Sequence, residues 1–145
     1  MMLNALDPTP EQIKAFLVHK GADQPVYMLN LLKFKVRATY KDGEDVSGRE
    51  AYSRYAKAFG EMVRASGHEA SETTFGGSMN AVLIGDANGG DASKPDWDAV
   101  ALVKYPNAKT MFEMVSSDEY RKIHYHRRAG LEGQLLISCD DGGVF

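Results

Sequence analysis

Residues 26–35 read VYMLNLLKFK, and what covers this run decides the fold. It has strand length, follows Pro25, and is apolar on both alternating faces: Met28, Leu32 and Phe34 on one, Tyr27, Leu29 and Leu31 on the other. A strand of that pattern is buried on both sides. The rest of the chain must therefore supply two covers.

Upstream, TPEQIKAFLVHKG carries a helix start and stop. Thr9 caps, Pro10 suits the first helical position, Gln12 completes a capping box and Gly21 ends the segment, with Ile13, Phe16 and Leu17 on one side. Downstream, RATYKDGEDVSG is a charged loop with a turn signal at Asp42-Gly43. Ser47 and Glu50 then open a helix whose apolar set is Ala51, Tyr52, Tyr55, Ala56, Phe59, Met62 and Val63, and Gly67 stops it. Residues 69–85, ending in NAVLIG, read as one strand bent at Gly76-Gly77 or as two short strands. GDANGGDASKPD is a loop, and WDAVALVKYP is a strand ended by Pro106. Asn107 starts a short helix with Met111, Phe112 and Val115 inward, Ser116 or Ser117 starts another through EYRKIHYHRRAG, and LLIS is the closing strand.

The order is a helix followed by β-α-β-β-α-β with the second α split in two. That is a ferredoxin-like α+β sandwich over residues 1–145, with residues 1–24 as an N-terminal helical extension. Helices cover one face of such a sheet. A second copy of the chain, pairing sheet to sheet, is the economical cover for the other, so the expectation is a homodimer in the form of a dimeric α+β barrel.

Composition narrows the class. A chain of 145 residues, 43% hydrophobic and 26% charged, suits one globular domain. The net charge of −3 is spread over both signs, with no basic, aromatic-laced block for nucleic acid. The lone Cys139 excludes an internal disulfide and fits a reducing compartment. No signal peptide or bilayer-spanning run is expected, so the expected location is the cytoplasm, without a membrane partner.

VYMLNLLKFK, GREAYSRYAKAF, WDAVALVKYPNAKTMFEMVSSDEYRKIHYHRRAGLE and LLIS together resemble a domain-of-unknown-function family, the one catalogued as thirteen-thirty. The resemblance spans residues 26–138. Its most specific pieces are Tyr52 with Tyr55, the Ser-x-Glu-Tyr start at Ser117 to Tyr120, and Arg127. It implies membership of the dimeric α+β barrel superfamily, a homodimer, and a small-molecule pocket between sheet and helices. It implies no fixed reaction, because relatives in that superfamily include cofactor-free monooxygenases, isomerases and haem proteins; no cofactor is expected from the residues themselves.

The candidate chemistry lies in HYHRR, His124 to Arg128. The flanking residues are helix formers, and side chains two apart on a helix diverge by about 200°, so His124 and His126 do not form a chelate and no metal is implied. With Tyr120 as reference, Ile123, His124, Arg127 and Leu131 all fall within about 60° of it, on the face toward the sheet. A buried guanidinium needs a carboxylate, carbonyls or an anionic ligand. An internal ion pair, or carbonyls near Gly130 at the helix end, would satisfy Arg127 as well as a ligand would, while His126 and Arg128 read as solvated. Asn30 is a second polar anomaly, sharing a face with Met28, Leu32 and Phe34, where it either bonds neighbouring backbone or orients a substrate oxygen. His124, Arg127 and Asn30 are thus the candidate catalytic residues, and Tyr52, Tyr55 and Trp97 the candidate substrate-binding aromatics, with ordinary core packing as their alternative. Two functions follow: an enzyme without a tightly held cofactor, monooxygenase- or isomerase-like, acting on a small organic anion, or a non-catalytic dimer that binds a ligand or supports a partner. The long loops, residues 36–46 and 86–96, are placed to cover a pocket mouth.

Overall fold

The computed structural model describes residues 5–19, 23–67, 71–85 and 96–140. Its order is α1 (Pro10–His19), β1 (Val26–Phe34), α2 (Gly48–Ser66), β2 (Glu72–Ser78), β3 (Ala99–Tyr105), α3 (Ala108–Val115), α4 (Asp118–Gly130) and β4 (Leu131–Cys139). The four strands form one antiparallel sheet in the order β2-β3-β1-β4. This is an α+β arrangement of ferredoxin-like type, with two helices in the second crossover.

The caps act where side-chain oxygens reach orphan helix amides. Thr9 and Gln12 bond reciprocally ahead of α1, at 2.9 and 3.1 Å. Ser47 Oγ accepts from the Glu50 amide at 3.0 Å, and Gly67 ends α2 with φ of 78°. Asn107 caps α3, and Ser117, not Ser116, caps α4.

β1 alternates buried and half-buried positions. Its buried set, Val26, Met28, Asn30 and Leu32, lies under the helices, and the sheet register aligns it with Tyr105, Val103, Ala101 and Ala99 of β3. The core is divided. One cluster gathers Val26, Met28, Val63, Tyr105, Ala108, Met111 and Met114, with Phe16, Phe59 and Phe112 against it. The other gathers Leu32, Ala99 and Leu131, with Leu6, Phe34 and Tyr52 against it. Asn30 stands on β1 between the two.

The opposite face carries Tyr27, Leu29 and Leu31 of β1 alongside Lys104, Leu102 and Val100 of β3 and Cys139, Ile137 and Leu135 of β4. Phe75 of β2 pairs in register with Leu102, so Phe75, Leu102, Leu29 and Ile137 make one apolar row across all four strands. Phe75 is 60% exposed and Ile137 40%. No element among the described residues packs on this face.

Four segment readings need correction. NAVLIG forms no strand: β2 ends at Ser78, and Leu83 and Ile84 are exposed. The closing strand begins at Leu131, directly after α4, and therefore takes in Glu132, Gly133 and Gln134. Met114 joins the buried face of α3 where Val115 is half-buried, and Ala56 of α2 is exposed. The helix stop at Gly21, and the loop at 86–96 apart from Asp96, lie outside the described residues.

Candidate functional site

α2 and α4 cross at close range because two glycines meet there. The Lys35 amide donates to the Gly130 carbonyl at 2.8 Å, and the Gly48 amide donates to the Lys35 carbonyl at 3.1 Å. A Cβ on Gly130 would lie 2.5 Å from the Gly48 carbonyl and 2.8 Å from the Tyr52 amide. This approach sets the aromatic face of α2 against that of α4. Tyr52 and Tyr55 are 5.3 Å apart by ring centroids, Tyr55 and Tyr120 6.1 Å, and Tyr120 and His124 5.4 Å. The Tyr55 and Tyr120 hydroxyls share a hydrogen bond of 3.1 Å.

Arg127 extends this row toward the polar break at Asn30. Its Nη2 donates to the backbone carbonyl of Leu6 and to Oε1 of Gln134, both at 2.5 Å. Gln134 Nε2 donates to Asn30 Oδ1 at 2.6 Å, and Asn30 Nδ2 donates to the carbonyls of Met28 at 3.2 Å and Ala101 at 3.3 Å. Asn30 is 8% exposed and fully engaged, as a buried amide must be. Arg127, Gln134 and Asn30 thus form one polar chain through the gap between the two apolar clusters. Both acceptors of Arg127 are neutral, and among the described residues it forms no ion pair. The nearby carboxylate, Asp7, is held by Arg128 through both oxygens at 3.0 and 2.9 Å.

Burial pushes the His124 imidazole below its ordinary range, and the charges of Arg127 and Arg128 push it further, with Asp7 opposing. It is therefore neutral near pH 7. Burial pushes the Tyr52 phenol up to about 12 and the Tyr55 phenol well up, with the charge of Arg127 opposing in each case. Both remain hydrogen-bond donors. Among the described residues neither His124 nor the Tyr52 hydroxyl has a hydrogen-bond partner.

Of the expected residues, the fold gathers His124, Arg127, Asn30, Tyr52 and Tyr55 between α2, α4 and the sheet. Trp97 stands apart: it is half-buried just ahead of β3 and makes no ring contact with the tyrosines. Its neighbour Asp98 instead accepts from the Phe34 amide at 2.7 Å. Gln134 was not singled out by sequence, and Tyr120 was not among the expected site residues. Gln134 was concealed because LEGQ reads as helix end, whereas alternation run back from Leu136 would have put it on the inner face. His126, expected to be solvated, is half-buried and meets the Tyr40 hydroxyl at 2.6 Å through Nδ1. Among the described residues no group of three metal-ligating side chains occurs. An open hollow of about 470 Å³ lies on the outer side of α1, lined by Pro10, Ile13, Lys14, Leu17 and Val18, and shares no residue with the cluster.

Comparison with known proteins places the fold. No protein-family model matches the chain, and no curated protein does. Two crystal structures of a protein of unknown function from Rhodopseudomonas palustris are similar to it over nearly its whole length. The methylated form has 29% identity and TM-score 0.81, covering 99% of this chain and 98% of that one; the other has 28% and 0.79, covering 97% and 98%. A hydroxynitrile lyase from Passiflora edulis shares the fold alone, with 8% identity and TM-score 0.53 over 85% of this chain and 98% of that one. No helix among the described residues is long and apolar enough to cross a membrane.

Proposed function

We propose that this chain is a small-molecule enzyme without a tightly held cofactor, acting on a compact organic anion. The observation that carries this is the state of Arg127. Among the described residues it is a half-buried guanidinium answered only by neutral oxygens, one helical turn from a neutral imidazole and beside a phenol with no hydrogen-bond partner there. Such a charge is completed by a ligand carboxylate, and paired geometry makes arginine well suited to one.

In this scheme Arg127 holds the anionic group and His124 takes a proton from one atom of the substrate and returns it to another, a transfer that balances without a redox partner. This corresponds to the isomerase-like option; a monooxygenase-like course would require dioxygen as co-reactant. Asn30 acts through Gln134, fixing its amide so that its oxygen faces Arg127. Tyr52 and Tyr55 supply an apolar wall with a donor at its edge, and Trp97 would join them only where a ligand extends toward the start of β3. The assembly is a cytoplasmic homodimer of the thirteen-thirty family, closed through the apolar row on the open sheet face. The self-satisfied bonding of Asn30 and Gln134 also suits a rigid receptacle with no turnover, and this is the second reading.

Native mass spectrometry of protein purified without added ligand tests the proposal. A retained carboxylic acid, lost in Arg127→Met, is the supporting result. No retained mass, together with no chemical-shift change on titration with alkyl and aryl carboxylates, removes it. Conversion that survives His124→Ala would move the chain to the receptacle reading.

A further inference from the structure

The acceptor that Arg127 meets from outside the helices comes from the N-terminal segment. Ala5 forms an isolated antiparallel bridge to Gln134, whose amide donates to the Ala5 carbonyl at 2.9 Å. β4 is an edge strand, so this bridge sits on its otherwise open side. Leu6 then packs against the cluster of Leu32, Ala99 and Leu131 beside Tyr52, and sets its carbonyl on Arg127. Asp7 follows, paired with Arg128 on the exposed side. Three successive residues thus hold the Gln134 backbone, the Arg127 guanidinium and the side chain of the neighbouring Arg128, through one bridge, one backbone carbonyl and one surface ion pair.

We propose that Ala5, Leu6 and Asp7 form a displaceable strap over the anion site, in which the Leu6 carbonyl stands where a ligand's carboxylate oxygen binds. The proposal rests on Arg127 being that anion site. The bonds that hold the strap are few and peripheral, the class of contact that opens locally while the sheet stays formed. A carboxylate displaces the carbonyl because an ionised acceptor bonds a guanidinium more strongly than a neutral one. Opening also frees the Gln134 amide. Occupancy by the strap lowers the apparent affinity by the fraction of time it is open, so a strap closed about 90% of the time weakens binding about tenfold.

The test uses the full chain, isotope-labelled, with benzoate as probe and hydrogen exchange read by NMR. Saturating benzoate should lower protection of the Gln134 amide about tenfold or more, while the amides joining β4 to β1 stay protected. Leu6→Ala, which changes no charge, should bind benzoate several-fold more tightly and show a less protected Gln134 amide before ligand is added. Asp7→Asn should show the same loss of protection, which covers the case in which Leu6→Ala fails to fold. Arg127-dependent benzoate binding with an unchanged Gln134 amide overturns the strap and leaves the anion site standing. Benzoate binding by neither the wild type nor the strap variants overturns the anion site, and the strap's role with it.

Discussion

The Gln134 carboxamide donates to the Asn30 oxygen across 2.6 Å, joining edge strand β4 to the centre of β1 at the one polar position of the buried face. The two residues are 104 apart in sequence. Gln134→Ala removes that donor and leaves a buried amide oxygen unanswered, which costs about 1–3 kcal/mol. Urea denaturation should show this as a lower midpoint with an unchanged slope. If the midpoint stayed within error of wild type, water would have to replace the amide, and the polar chain would not be a structural unit.

The contact of Gly48 with Gly130 sets how near α4 comes to α2. A methyl group on Gly130 meets the Gly48 carbonyl at 2.5 Å, with backbone rather than a movable side chain in the way. Gly130→Ala should therefore destabilise by about 1–3 kcal/mol or more, the range for overpacking a closed contact. It should also separate Tyr55 from Tyr120, visible as altered aromatic chemical shifts and near-ultraviolet circular dichroism. A neutral outcome would mean that the helices can slide apart freely.

How much of this was legible beforehand differs by distance along the chain. Ser47, Gly67, Asn107 and Ser117 act through neighbours three residues away or through their own backbone, so the local sequence specified them. Asn30 was conspicuous because an amide interrupts a face that otherwise reads Val, Met, Leu. Its partner was not, since nothing local links β1 to Gln134. The Leu6 carbonyl, 121 residues from Arg127, is a backbone acceptor that any residue would supply, so no side-chain pattern announces it. NAVLIG misled because apolar composition was read as strand, although Leu83 and Ile84 find no ladder to join. Tyr40, in a loop, drew His126 inward for the same reason: the partner comes from a segment without periodicity.

His124 gives a pH signature. Its proton is held less tightly in the native state than in the unfolded one, since burial and then Arg127 and Arg128 disfavour the cation. Stability is therefore fully present above the ordinary histidine value of about 6.5 and falls as pH drops from there through the depressed native value. His126, depressed by burial and then by Arg54, adds in the same direction. An NMR titration should place the His124 midpoint below 6.5, and Arg127→Met should raise it. A midpoint at or above the ordinary value would mean that the imidazole is solvated and that the proposed base is ordinary surface chemistry.

The apolar row Phe75, Leu102, Leu29 and Ile137 runs across the whole sheet on the face that no helix among the described residues covers. Isolated exposed apolar groups are common on monomers, but a contiguous row on a regular surface marks an interface. A two-fold axis through it would set each row against its own copy, so one change acts twice. Ile137→Glu places a charge in that contact while leaving the helix-side core untouched, since Ile137 points away from it. The wild type should sediment as a dimer at micromolar concentration, and Ile137→Glu should shift it toward monomer with its far-ultraviolet circular dichroism preserved. Phe75→Glu, on the opposite edge strand, should do the same if the whole sheet is engaged. Loss of the dimer in Ile137→Glu alone would place the contact on the β1–β4 side, whereas a monomeric wild type would leave the open face without a second copy.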